Sequence, residues 1–172
     1  MTSRILLREL AHWLEQVTRG YAFPAPEGGE RDARVYLHAL PDGQPGTEES
    51  PSYPFVVVRW MEGTIQSESD AKTVLKDTVG LALGVHSPRS QEEAGLCLAE
   101  LVDLLRRELW TLRLLAGRFE LEEPIRASIP EPKRKWNQFH LATIETVWNY
   151  TWPPRGWAEL SPLLGGNTQE KS

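Results

Sequence analysis

The chain has 172 residues, a size at which one domain is the default and about 70% of the unfolded surface is buried on folding. Its 19 Lys and Arg stand against 24 Asp and Glu, and a net charge of -5 excludes a protein whose main task is gripping duplex phosphates. The single cysteine, Cys97, excludes an intramolecular disulfide and a zinc site built from cysteines. Met1 to Arg19 carries Arg4, Arg8, Glu9 and Glu15 among its apolar residues, so it has no uninterrupted apolar stretch of the secretory kind. No window reaches about 18 consecutive apolar residues. The expectation is therefore a chain made and folded in a cytoplasm, with no membrane partner.

From Ser3 to Thr18, Leu6, Leu10, Trp13, Leu14 and Val17 mark one stripe of an amphipathic helix, with Gly20 at a natural stop. Tyr21 to Asp32 reads as a loop, with Pro24, Pro26 and Gly28-Gly29. Ala33 to Leu40 reads as a strand, Val35, Leu37 and Ala39 on one face. A Pro- and Gly-rich excursion, Pro41 to Tyr53, leads to a β-branched strand at Pro54 to Met61. Glu62 to Lys72 reads as an acidic connector holding Glu62, Glu68 and Asp70.

Thr73 to His86 predicts a strand with large residues (Val79, Leu81, Leu83, Val85) on one face and Gly80, Ala82 and Gly84 on the other. Glycine weakens a strand interior unless another element approaches closely, so the small face is expected to be a docking surface for a helix or a neighbouring subunit. Ser90-Gln91-Glu92-Glu93 is a capping box, and the helix it opens is predicted to run to about Leu109. Arg118 to Ile129 alternates, with Phe119, Leu121, Ile125, Ala127 and Ile129 inward. Pro124 within it implies an edge position or a bulge. A loop over Pro130 to Gln138 precedes the last predicted strand, Phe139 to Trp152, and Pro153-Pro154 ends it. The predicted fold is α+β: a single mixed or antiparallel sheet of about five strands, with the long helix and the N-terminal helix on one face. Residues 1–154 form the domain, and 155–172 a C-terminal tail expected to be partly disordered.

Little in the sequence carries chemistry. There is no Walker pattern and no G-x-G-x-x-G, and Gly80 to Gly84 sits inside a strand rather than at a helix start. His12, His38, His86 and His140 fall one each on a helix and three strands, without metal-site spacing. Cys97 sits among leucines two turns into a helix, where a buried, inert thiol is expected. There is no G-x-S-x-G elbow, and Glu48-Glu49 and Glu122-Glu123 are adjacent carboxylates that a strand would point apart. Lys133-Arg134-Lys135-Trp136 is the one dense basic cluster and reads as a solvated hairpin tip. Neither catalytic residues nor a metal or cofactor are expected. Of the seven tryptophans, Trp136, Trp148, Trp152 and Trp157 fall late in the chain; with Tyr150 they are expected to form a partner-binding patch.

The order of segments resembles the tail terminator, or tail completion, proteins of tailed bacteriophages. The resemblance spans residues 4–152. It rests on the N-terminal helix, the Pro-preceded strand Tyr53-Pro54-Phe55-Val56-Val57-Val58-Arg59, the acidic connector, the strand Val79 to Ser87, the long helix, and the hairpin of Phe119 to Ile125 with Phe139 to Trp148. The Trp-rich end and the chain after Pro153 have no counterpart in it. The resemblance implies a structural virion protein, not an enzyme, forming a hexameric ring on the last ring of a tail tube. It also implies partners: the tail tube protein, a neck or head-completion protein, and DNA that passes without specific binding. Under it, Gly80, Ala82, Gly84 and the late aromatic set become subunit or partner interfaces. Glu62, Glu68 and Asp70 become lumen-facing carboxylates that repel phosphates. Its location would be the virion, after assembly in the host cytoplasm. The alternatives are a neck or stopper protein of the same junction, a soluble adaptor that captures a partner through the Trp-rich edge, and a small hydrolase or nucleic-acid-processing enzyme using His86 or His140.

Overall fold

Leu6, Leu10 and Leu14, spaced one helical turn apart, are fully buried along α1 (Thr2–Thr18), and Leu7 and Ala11 widen the stripe. The computed structural model that places them describes residues 2–41, 52–69, 72–87, 89–130 and 139–151. Thr18 donates its hydroxyl to the Leu14 carbonyl at 2.9 Å, and Gly20, at φ +85°, turns the chain out of the helix. The predicted loop that follows contains a small antiparallel pair, β1 (Phe23–Pro24) and β2 (Glu30–Arg31), closed by Gly28 and Gly29. Strand β3 (Arg34–Leu37) is shorter than its pattern predicts, and the chain leaves it at His38, in the left-handed region at φ 68°.

The largest departure from the sequence reading comes next. Strands β4 (Phe55–Ser69) and β5 (Lys72–His86) are 15 residues each, paired antiparallel from Phe55–Gly84 out to Ser69–Lys72. The stretch read as an acidic connector is thus the outer part of a hairpin. Its polarity reflects an exposed strand, not a loop, and β-branched Thr64, Ile65, Thr73 and Val74 sustain the ladder. A bulge at Met61, between the Trp60 and Glu62 pairings, shifts the register where the hairpin leaves the covered part of the sheet.

Helix α2 (Gln91–Leu112) starts at its predicted cap: Ser90 Oγ accepts from the Glu93 amide at 3.0 Å. The reciprocal half of the box is absent. The Glu93 carboxylate instead accepts from the Ser87 hydroxyl at 2.6 Å and from Arg89 at 3.0 Å, which together hold it below the usual carboxylate range. After α2 come β6 (Leu114–Leu115), a turn through Ala116 and Gly117 at positive φ, β7 (Phe119–Ser128) and β8 (Phe139–Thr151). Around Pro124 the pairing of β7 with β8 slips between Glu122 and Arg126, the predicted bulge.

The main sheet has order β3-β4-β5-β8-β7-β6, with only the β3–β4 pair parallel. The fold is α+β, with both helices on one face of a mixed six-stranded sheet. The strand beyond the predicted five is β6, whose two residues show no periodicity. Val56, Val58, Val79, Leu81, Leu83, Val85, Ala142 and Ile144 meet the helical leucines in one continuous core. Full burial of each large member is worth about 1.5–3 kcal/mol. Ile125 packs against this core, whereas Ala127 and Ile129 are exposed, so the cover over β7 ends before its last residues. Among the described residues no helix is long and apolar enough to cross a membrane.

Candidate interaction surface

The small-residue face of β5 lies on the side of the sheet away from the helices, and β4 side chains lie over its glycines. Gly84 pairs with Phe55, whose ring is 2% exposed and occupies the space a Gly84 side chain would need. At Gly80 a Cβ would sit 2.8 Å from the Met61 sulfur, and Ala82 between them is half-buried beside Val57. The close approach that the glycines signalled is therefore real. Its cause is the adjacent strand's side chains, not a docked helix of the same chain.

Trp148 and Tyr150 require a second correction. Period-two alternation puts them on the helix-facing side with Ala142 and Ile144, and both are buried, Trp148 completely. The Trp148 indole N–H donates to Thr146 Oγ1 at 2.9 Å, and Thr146 donates to the Val79 carbonyl at 2.9 Å, so the indole's polar end is satisfied inside the core. The Tyr150 hydroxyl donates to Asp77 Oδ2 at 2.7 Å, its ring meets Phe119 edge-on at 5.2 Å, and burial first of all pushes its pKa up to about 12. Neither side chain is available to a partner. Trp136, Trp152 and Trp157 lie outside the described residues, as does the Lys133 to Lys135 cluster.

The acidic set divides similarly. Glu62 is exposed, but it stands in β4 opposite Thr78 rather than in a loop. Glu68 belongs to the same strand, and Asp70 lies outside the described residues.

The outer half of β4 is the surface that sequence reasoning passed over. β3 covers the strand only from Phe55 to Val58. Beyond Val58, among the described residues, β5 alone pairs with it, leaving one edge open. Along this stretch Trp60, Met61 and Ile65 are 39%, 52% and 70% exposed. Soluble proteins blunt such edges with prolines, bulges and charges. The β7 edge follows that rule, with Pro124, a bulge and the Arg113–Glu123 ion pair. The β4 edge has its bulge at Met61 and the charged Arg59 and Glu62, yet Trp60, Met61 and Ile65 stand exposed among them.

No family model and no curated protein matches the chain. Among 28 matching solved chains, one aligns over 87% of this chain and 93% of its own length, at 13% identity and a TM-score of 0.47.

The groups considered for chemistry do not converge. His140 pairs with Val85 and faces α2, where a Cβ on Gly95 would lie 3.8 Å from its ring. His86, one residue on, points to the opposite face beside Tyr53, with ring centroids 6.2 Å apart, and burial lowers its pKa. The Glu122 carboxylate is held below its ordinary range by Lys76 at 2.6 Å and by the Asn149 amide at 2.8 Å. Its neighbour Glu123 engages Arg113 instead. Cys97 is half-buried, and burial, then Glu100 and Glu93, push its thiol up, away from a reactive thiolate. Among the described residues no three His, Cys, Asp or Glu side chains could together hold a metal ion.

Proposed function

We propose that this chain is a structural subunit that assembles into a ring at the end of a phage or phage-like tail tube, where it stops tube growth and presents a surface for the neck or head. The observation that carries this reading is the outer half of β4, with Trp60, Met61 and Ile65 exposed along a strand whose second edge has no partner among the described residues. A monomer that worked alone would have little use for such an edge, whereas a subunit of an assembly needs it covered by a neighbour. The order of elements gives further support: an N-terminal helix, a Pro-preceded strand, the long helix after β5, and a closing antiparallel pair match segments on which the tail terminator resemblance rests, whereas its acidic connector is the outer part of the β4–β5 hairpin. The six-fold symmetry, the tube and neck partners, and the passage of DNA without specific binding come from that resemblance alone.

The experiment is size analysis and electron microscopy of the purified chain, alone and with tail tubes. Closed oligomers that cap tube ends are expected. A strict monomer that never associates with tube ends would overturn the reading.

A further inference from the structure

The open edge and the last described residue of β8 lie close together in the sheet. Thr151, the last described residue of β8, pairs with Val74 of β5, and Val74 pairs with Gln66 of β4. At about 4.8 Å between strands, Thr151 lies roughly 10 Å from the exposed edge, at its outer end. Residues 152–172 follow, and they begin with Trp152-Pro153-Pro154. Strands β8 and β4 are both antiparallel to β5 and so run the same way. In a ring every subunit needs two different complementary patches, so the edge is assigned to the segment of a neighbouring copy rather than to the chain's own. Beyond the prolines the sequence supplies Trp157, Leu160, Leu163 and Leu164, a set of large apolar side chains in need of cover.

We infer that the C-terminal segment of one copy covers the outer half of β4 on a second copy, with its apolar residues from Trp157 to Leu164 against Trp60, Met61 and Ile65. Donor and acceptor are different surfaces, so the contact is heterologous: every subunit gives a segment to one neighbour and receives one from the other. Repeated with a closing rotation, such contacts make a ring. This rests on the ring reading above and names the surfaces that build it.

The test uses the full chain, a donor variant (W157D with L160D) and an acceptor variant (I65K), each followed by sedimentation alone and after equimolar mixing. Ile65 is exposed, so I65K leaves the fold intact; thermal melting of each variant verifies this. The wild type is expected to form a closed oligomer and each variant alone to remain monomeric. Their mixture should give a 1:1 complex and nothing larger, because only one intact segment faces one intact edge. A wild-type ring that survives both variants would overturn the inference while leaving the ring reading in place. A mixture that stays monomeric would also overturn it. A monomeric wild type overturns it as well, and hydrogen exchange of those amides of residues 59–66 that point away from β5 then says why: protection that is lost in the donor variant means that the segment covers its own chain's edge, and no protection means that the edge awaits a different protein.

Discussion

The two halves of β4 share one strand and one partner, β5, yet they do different work. From Phe55 to Val58 the strand lies between β3 and β5, and every residue is at most 6% exposed. From Arg59 to Gln66 every residue is exposed, and β5 is the only neighbour among the described residues. The inner half stabilises the fold through burial, and the outer half leaves Trp60, Met61 and Ile65 exposed. Exposure of large side chains on an otherwise ordinary hairpin separates the two, and the fold tolerates it because the inner half carries the core.

Mutations should sharpen this division. The largest expected effect is in the core: Trp148→Ala removes a fully buried indole and its bond to Thr146, costing about 3–5 kcal/mol in urea unfolding. Trp60→Ala, on the outer half, should cost no more than about 1 kcal/mol, since its side chain already meets water. Next are the glycines. Gly84→Val drives a side chain into the buried Phe55 ring and should cost about 1–3 kcal/mol, whereas Gly80→Ala meets the exposed, flexible Met61 and should stay within about 0.5 kcal/mol.

Tyr150→Phe leaves the buried Asp77 without its hydroxyl donor and should cost about 1–3 kcal/mol. It also tests a pH dependence. The folded state raises the Tyr150 pKa from 10.0 to about 12, so the associated stability is fully present below about pH 10 and is lost as pH rises through 12. Alkaline unfolding of the Phe variant should lose that share of the limb, and an unchanged limb would place the dependence elsewhere, Tyr53 being the other tyrosine raised by burial. The smallest effect is expected for Ile65→Lys, a change within about 0.5 kcal/mol in the same assay. A large loss there would show that the outer half belongs to the core after all.

Much of this architecture is legible in the sequence, for reasons that local chemistry explains. The leucine stripe of α1, the Ser90 cap of α2 and the alternation of β5 and β8 are periodic signals, and each element forms where its period lies. The outer hairpin is not legible, because a solvated edge strand and a loop share the same polar composition. Neither is β6, with only Leu114 and Leu115. For Trp148 and Tyr150 the signal was present: both alternate with Ala142, Ile144 and Thr146, which places them on the core face. Thr146 two residues before Trp148 supplies the acceptor a buried indole needs. Tryptophan's frequency at interfaces is a weaker guide than its register. Trp60 to Ile65 escape a reading of the sequence because edge exposure depends on which strands pair, and β3 accompanies β4 only from Phe55 to Val58.

The most direct measurement is electron microscopy of the purified full-length chain mixed with tail tubes. The account predicts closed rings seated on tube ends. Free monomers beside bare, still-growing tubes would contradict it.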